Sequence, residues 1–164
     1  GSLDDVAVFS FELMAVQIRG LMHGLLPASL DSSTRIVVEA ARAHTCIDIE
    51  AGARYNGALL VVWECHLGWN QFWAFSRERI INPETQKCMT PEFSTRTGAT
   101  ELVLDDCNDN ISTQRFVLDK EAHSIRHVQT GHCITIGGPS IGDGAPVVLE
   151  PCAAAKPNQR LSTE

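Results

Sequence analysis

The sequence has few basic residues and no long apolar run, and both absences restrict what the protein can do. Its 164 residues include 13 Lys and Arg against 20 Asp and Glu, which gives a net charge of −7. Such a chain offers no positive surface to phosphate backbones or anionic lipid, so nucleic acid and membrane surfaces are not expected partners. Charged residues interrupt the apolar N-terminal region before it reaches the roughly 18 residues of a membrane span. We therefore expect a soluble chain with no membrane span.

Motifs that carry catalytic or metal chemistry are also missing. The sequence has no CxxC pair, and the adjacent pairs Cys65-His66 and His132-Cys133 do not have the spacing of zinc ligands. No nucleophile–base motif, paired-acid constellation or phosphate-binding loop stands out. We expect no metal, no cofactor and no catalytic residue, and a stand-alone enzyme is the least favoured class of function.

The six cysteines are spaced regularly. They stand at positions 46, 65, 88, 107, 133 and 152, so that the members of each successive pair are 19 residues apart. Among the connectivities open to six cysteines, this regularity selects Cys46–Cys65, Cys88–Cys107 and Cys133–Cys152, with buried free thiols as the alternative. Each disulfide would close a loop of about 20 residues, worth about 3 kcal/mol on the chain-entropy estimate. Disulfides indicate an oxidising compartment, so we expect a secreted protein or one in the secretory-pathway lumen.

The cysteine pairs belong to a unit that occurs three times. The first cysteines begin the segments CIDI, CMTP and CITI, and the second cysteines end the segments VVWEC, LVLDDC and VVLEPC. A third mark reads QFW, QRF or QRL and begins at Gln71, Gln114 and Gln159, glutamines that we expect to bond the backbone within the core. Between the marks lie short β-branched or aromatic runs separated by turn residues, four runs to a unit. Twelve strands in threefold repetition predict an all-β protein, a β-trefoil of three pseudo-repeats.

The predicted trefoil covers residues 34–164, with repeats at about 34–78, 79–122 and 123–164, and is preceded by an extension over residues 1–33. The opening Gly1-Ser2 has no initiator Met and is typical of an expression scar, so a signal peptide or an upstream domain can have been removed. Apolar side chains fit one helical face from Met14 to Leu25 but alternate like a strand from Phe9 to Leu13. We favour a helix that packs on the trefoil or on a second copy, which predicts self-association through this segment.

Cys-x-Asp, a second cysteine 19 residues later and a following Asn-Gln-x-Trp resemble the ricin-type B-chain lectin family, including the lectin domains of polypeptide N-acetylgalactosaminyltransferases. The resemblance runs from about Thr34 to Ser162. It implies a module that binds galactose or N-acetylgalactosamine on glycans or glycoproteins, either free-standing or as part of a larger secretory-pathway enzyme or toxin. A protein-binding trefoil, such as a protease inhibitor with vestigial sugar sites, is the alternative.

The resemblance also implies which residues bind the sugar. In the family a carboxylate follows the first cysteine by two residues, an aromatic ring precedes the second by two, and an amide precedes the glutamine of the third mark. The first repeat has Asp48, Trp63 and Asn70 at these places, and His66 matches a histidine that helps to hold the acetamido group in the transferase lectin domains. Val61 stands where the family often has Gln. Taken singly, these side chains also fit a turn cap, the core or a solvated loop, but their coincidence in one repeat favours a site.

The other two repeats lack this combination. The second has Thr90, Asp105 and Thr113 at the same places, and the third has Thr135, Glu150 and Asn158, which retains only the amide. We therefore expect one sugar site, in the first repeat. Asn110-Ile111-Ser112 is a glycosylation sequon where a surface loop is expected, which is consistent with secretion.

Overall fold

The structure, a computed structural model, describes residues 33–164, so the helix expected between residues 3 and 30 lies outside the described residues. The described part is built from short strands, as predicted. They are β1 (Ile36–Val38), β2 (Thr45–Ile49), β3 (Leu60–Glu64), β4 (Ala74–Ser76), β5 (Arg79–Asn82), β6 (Lys87–Phe93), β7 (Thr100–Asp106), β8 (Phe116–Asp119), β9 (Ser124–His127), β10 (Cys133–Ile136), β11 (Val147–Glu150) and β12 (Leu161–Thr163). Within residues 33–164, four single-turn 3₁₀ helices lie between strands: Glu50–Gly52, Trp69–Gln71, Ser112–Gln114 and Pro157–Gln159. No helix in residues 33–164 is long and apolar enough to cross a membrane.

Strand pairing repeats three times and closes on itself. Each repeat contributes one long antiparallel hairpin, β2–β3, β6–β7 or β10–β11. The last strand of each repeat pairs with the first strand of the next, as β4–β5 and β8–β9, and β12 returns to pair with β1. The hairpins meet one another through the β7–β11 pairing and through single bridges such as Val61 to Pro146. This arrangement is a β-trefoil, and the predicted fold class is confirmed.

The core is filled by one face of each strand, because alternate side chains of a β-strand point to opposite sides of the sheet. The third residue of each QxW-like mark is buried at an equivalent place: Trp73 is 0% exposed, Phe116 2% and Leu161 1%. The indole N–H of Trp73 donates to the carbonyl of Ile47 at 3.1 Å, so the one polar atom of this ring is satisfied inside the core. The three repeats therefore share a single apolar centre.

The glutamine of each mark ties its 3₁₀ helix to the hairpin of the same repeat. In the first repeat Gln71 donates to the carbonyl of Glu64 at 3.0 Å and accepts the N–H of His66 at 2.8 Å. Gln114 likewise donates to the carbonyl of Asp106 and accepts the N–H of Asn108. Gln159 donates to the carbonyl of Pro151 and accepts the N–H of Ala153. These buried amides are structural, as the sequence predicts, and they hold the residue after each second cysteine at one place.

Each hairpin is also closed by a disulfide. The three bonds join Cys46 to Cys65, Cys88 to Cys107 and Cys133 to Cys152, each over a sequence separation of 19. No cysteine in the described part of the chain is free. The predicted pairing is therefore present in the structure.

Candidate functional site

A buried carboxylate lies at the centre of the first repeat. Asp48 is in β2 and pairs with Val61 of β3, so that the two side chains lie on the same face of the hairpin. Asp48 is 4% exposed, and its carboxylate accepts hydrogen bonds at both of its oxygens. Asn70 donates to Oδ1 at 2.9 Å, and Gln71 donates to Oδ2 at 2.7 Å. The partners of the Asp48 carboxylate in the described residues are all side chains, and none is a backbone N–H of the 3₁₀ helix that follows it, so the turn-cap alternative does not describe its role.

Burial and hydrogen bonding act on this carboxyl in opposite directions. Removal from water raises the pKa of Asp48 above its ordinary value, whereas the bonds from Gln71, Asn70 and His66 lower it; burial is the larger effect. The folded chain therefore keeps a carboxylate in a place where its ionised form is costly. Such a cost is typical of residues retained for binding or catalysis.

Trp63 forms a wall beside the carboxylate. It follows Val61 by two residues in β3, and side chains two apart in a strand share a face. Trp63 is 47% exposed, so it is not part of the core, although the neighbouring strand residues Leu60 to Val62 are buried. The hairpin thus presents a broad aromatic surface to solvent on the face that contains Asp48.

His66 is held between the loop and the carboxylate. Its Nδ1 accepts the N–H of Gly68 at 2.8 Å, and its Nε2 lies 3.3 Å from Oδ2 of Asp48. Because Nδ1 is used as an acceptor, the hydrogen of the neutral ring is placed on Nε2, where it points to Asp48. The network therefore selects one tautomer and one orientation of the ring.

Gly68 lets this loop approach the two polar side chains. A Cβ at position 68 would lie 2.5 Å from a ring carbon of His66 and 2.7 Å from Oδ1 of Asn70. The backbone of Gly68 has φ −70°, which any residue can adopt, so the need for glycine comes from close approach alone. Any side chain here would displace His66, Asn70 or both.

These side chains border an open pocket with a volume of about 370 Å³. The structure brings together all four residues predicted for the site, since Asp48, Trp63, His66 and Asn70 line it. Sequence reasoning missed the other walls: Glu50, Ala51, Gly52 and Gly144. The turn at Ala51 and Gly52 has left-handed backbone angles, φ 52° and 62°, and no local sequence signal marked it as a pocket wall.

One wall comes from the third repeat. The N–H of Gly144 donates to the carbonyl of Val62 at 2.8 Å, and Val62 donates in return to Ala145 at 2.9 Å. Farther along β3, the carboxylate of Asp143 accepts the N–H of Glu64 at 2.8 Å. These bonds dock the loop before β11 against the edge of β3, next to Trp63. The pocket is therefore made by two repeats.

The equivalent places in the other repeats have no carboxylate. Thr90 and Thr135 accept the bonds from Gln114 and Gln159, both at 3.0 Å, and pass their own hydroxyl hydrogens to the carbonyls of Cys88 and Cys133. A threonine here satisfies the glutamine without a charge. The amide of Asn158 donates to the carbonyl of Ile136 at 2.9 Å, so it also has a structural bond.

One group of possible metal ligands occurs in the described residues, and its chemistry does not suit a metal. It consists of His44, Cys65 and Glu164. Cys65 is in a disulfide and offers no thiolate. The same oxygen of Glu164 already contacts Arg35 at 2.8 Å and His44 at 2.9 Å, so it belongs to an ion-pair cluster.

The fold and this pocket define a β-trefoil with a polar and aromatic cleft in its first repeat. A family profile described as the ricin-type beta-trefoil lectin domain matches residues 33–161. The chain belongs to this family, as its cysteine and QxW-like pattern predicts.

Solved structures agree on the fold. The C-half of an earthworm R-type lectin, solved in complex with GalNAc, matches with a TM-score of 0.67 and 16% identity, over 81% of this chain and 98% of that one. An agglutinin from Abrus precatorius matches with a TM-score of 0.65 and 18% identity, over 80% of this chain and 47% of that one. GalNAc-T7, solved with UDP, GalNAc and Mn²⁺, matches with a TM-score of 0.65 and 19% identity, over 95% of this chain and 27% of that one. At such identities the likeness establishes the fold alone. No match was found among curated proteins.

Proposed function

We propose that the chain is a carbohydrate-binding module that recognises galactose or N-acetylgalactosamine through the pocket of its first repeat. The observation that carries the proposal is the buried Asp48 carboxylate, bonded to Asn70 and His66 and flanked by the half-exposed ring of Trp63. Membership of a lectin family and the GalNAc bound to the earthworm relative support the same ligand class.

The remaining hydrogen-bonding capacity of the site suits two neighbouring hydroxyls. An ionised carboxylate offers roughly four lone-pair positions, and Asp48 uses one on Oδ1 and two on Oδ2. The free position on Oδ1 can accept one sugar hydroxyl. The amide oxygen of Asn70 accepts no hydrogen bond from residues 33–164, so it is open to the adjacent hydroxyl. A hydrogen bond to the charged oxygen is stronger than one to a neutral acceptor, which makes Asp48 the main anchor.

Trp63 and His66 supply the other two contacts. A pyranose has an apolar face of C–H groups, and the exposed Trp63 ring provides a flat apolar surface for it. Nε2 of His66 lies 3.3 Å from Oδ2 of Asp48, which is long for a hydrogen bond, and the His66 side chain is 43% exposed. The hydrogen on Nε2 can therefore also be donated to the acetamido carbonyl of a bound sugar. This contact would favour N-acetylgalactosamine over galactose.

The pocket is shallow and offers few anchors, so we expect about millimolar affinity, which corresponds to roughly 4 kcal/mol. Useful binding strength would come from linking several such modules or from a tethered partner domain. A role as one domain of a larger enzyme or toxin would supply the tethered partner. The three disulfides support a secreted or lumenal location for it.

Titration calorimetry with N-acetylgalactosamine and galactose tests the proposal. We expect one sugar per chain, and loss of detectable binding in Asp48→Asn because the charged acceptor is removed. Gly68→Ala should weaken binding at least about tenfold, or 1.4 kcal/mol, since its Cβ displaces His66 and Asn70. His66→Ala should reduce the affinity for N-acetylgalactosamine more than the affinity for galactose.

Two variants serve as matched controls. Thr90→Asn places the same amide at the equivalent position of the second repeat, and Gly142→Ala adds the same methyl group where no atom lies within 4 Å. Both should bind sugar like the parent chain. Binding that survives Asp48→Asn, or two or three sites per chain, would show that the site lies in another repeat.

A further inference from the structure

The second repeat carries the only glycosylation sequon of the chain. The sequence contains six asparagines, at positions 56, 70, 82, 108, 110 and 158. Asn110 alone is followed by a non-proline residue and then Ser or Thr, in Asn110-Ile111-Ser112. A sequon by itself is a weak signal, so its surroundings decide whether it can be modified.

The structure separates Asn110 from the other five asparagines. Each of those uses its side-chain amide in a hydrogen bond: Asn56 to Asp106, Asn70 to Asp48, Asn82 to Trp69, Asn108 to Asn110 and Asn158 to Ile136. The side chain of Asn110 makes no hydrogen bond within residues 33–164 and is exposed. Asn56 and Asn108 are exposed as well, so it is the side-chain hydrogen bonding that selects the same residue as the sequon, from independent information.

The backbone of Asn110 is nevertheless held in place. Its N–H donates to Oδ1 of Asn108 at 2.9 Å, within a turn that precedes the 3₁₀ helix Ser112–Gln114. Asn108 is fixed in turn, because its N–H donates to the buried Gln114 at 2.9 Å. Ser112 is also exposed, and its hydroxyl makes no hydrogen bond in the described residues. The amide and the hydroxyl of the sequon thus both face solvent on a defined turn.

We propose that Asn110 is the attachment site of an N-linked glycan. Nδ2 of Asn110 attacks C1 of an oligosaccharide on a polyprenyl pyrophosphate. The C1–N bond forms as the C1–O bond to phosphate breaks, the lipid pyrophosphate leaves and the amide gives up one proton. The donor and the transferase belong to the secretory pathway, whose oxidising lumen also accounts for the three disulfides. The proposal does not depend on sugar binding by the first repeat.

The glycan would stand where the first repeat has its pocket. Asn108 is the structural counterpart of His66, since each donates its N–H to the glutamine of its own repeat. Asn110 therefore lies on the loop that, in the first repeat, leads from His66 to Asn70. The second repeat has Thr90 in place of the carboxylate, so a glycan here covers no functioning pocket. It also shields Ile111, which is 37% exposed.

Expression of the full chain behind a signal peptide in a eukaryotic cell tests the proposal, with the protein recovered from the medium. Intact-mass measurement should show one glycan per chain, and peptide N-glycosidase should remove it and leave Asp at position 110 in the peptide map. Asn110→Gln and Ser112→Ala should each abolish the glycan, whereas Ser112→Thr, which restores a hydroxyl, should keep it. Enzymatic removal should leave the affinity for N-acetylgalactosamine unchanged.

Secreted protein with its three disulfides intact but without a glycan would overturn the proposal, as would a glycan that persists in Asn110→Gln. A change of sugar affinity on deglycosylation would contradict the placement of the glycan away from the first-repeat pocket. The mass measurement needs no sugar binding, so this inference and the proposed function succeed or fail separately.

Discussion

At the residue scale, Asp48 differs from its counterparts in a way that stability alone does not explain. The three repeats place a side-chain oxygen beside the glutamine of the third mark, and two of them use a neutral threonine. Only Asp48 adds a charge, and burial raises its pKa because the ionised form is poorly solvated there. The ionised carboxylate therefore lowers the free energy of unfolding, and sugar binding would explain its presence.

The pH dependence of stability follows from this raised pKa. An acid with a folded-state pKa above its unfolded value of 3.8 contributes stability at pH below 3.8, and the contribution is lost as pH rises through the folded pKa. At neutral pH the ionised Asp48 therefore opposes folding. We expect Asp48→Thr, which copies the other repeats, to be at least as stable as the parent in urea unfolding at pH 7.

The advantage of Asp48→Thr should shrink as the pH falls and Asp48 becomes protonated in the parent chain. The variant should bind no sugar at any pH, which separates its stability from its function. A variant markedly less stable than the parent at neutral pH would contradict the argument and make Asp48 a structural residue.

At the scale of the element, the disulfide-closed hairpin is the unit that each repeat builds. All three hairpins have the same cysteine separation and the same glutamine tie, yet only β2–β3 has an acid two residues after its first cysteine and an exposed aromatic ring two residues before its second. The hairpin is thus a common support, and under the proposed function the first repeat alone adds sugar-binding side chains to it. Removing a disulfide should therefore lower stability in any repeat but weaken sugar binding only in the first.

Removing single disulfides tests this separation. The double variant Cys133→Ser with Cys152→Ser should lose about 3 kcal/mol of unfolding free energy, from the freed loop of about 20 residues, and should keep its sugar affinity. The double variant Cys46→Ser with Cys65→Ser should lose a similar free energy and bind sugar more weakly. Its effect on binding arises because Cys46 pairs with Trp63 across the hairpin and Cys65 precedes His66.

Urea unfolding and calorimetry on both variants provide the two measurements. Equal loss of sugar affinity from the two repeats, with both proteins folded, would argue against a site confined to the first repeat.

At the scale of the whole molecule, the described residues close on themselves. Strand β1 pairs with β12, Thr34 bridges to Trp73, and Arg35 contacts Glu164 at 2.8 Å, so the first and last strands of the trefoil hold each other. No further strand is needed to complete the threefold pairing within residues 33–164. The trefoil should therefore fold without the N-terminal extension.

We expect a chain that lacks residues 1–30 to keep the far-ultraviolet circular dichroism and the sugar affinity of the parent. The apolar side chains of the extension are expected to pack against another surface, so the deletion should change solubility or association state. Size-exclusion chromatography of both chains would show this change. An unfolded truncation would instead make the extension part of the trefoil core.

The sequence by itself determined the fold class and predicted four residues that line one pocket of the first repeat, Asp48, Trp63, His66 and Asn70. The threefold pattern of cysteines and glutamines can be recognised in the sequence because each repeat builds the same local unit and each disulfide forms within one unit. The predicted site residues are also close in the chain: Asp48 and Asn70 are 22 apart and belong to one hairpin and the turn after it. The residue two positions after each first cysteine therefore distinguishes the first repeat, which has Asp48 there, from the other two, which have Thr90 and Thr135.

Only the tertiary structure decided which residues of the third repeat complete the pocket wall and how deeply the Asp48 carboxylate is buried. Gly144 and Asp143 reach β3 from the third repeat, and the contact between Glu64 and Asp143 spans 79 residues, a separation that no local pattern encodes. The burial of Asp48, and with it the direction of its pKa shift, depends on how His66, Asn70 and Gln71 fold back over the hairpin. The close approach of Gly68 to His66 and Asn70 is likewise a matter of three-dimensional contact, because the φ of Gly68 would suit any residue.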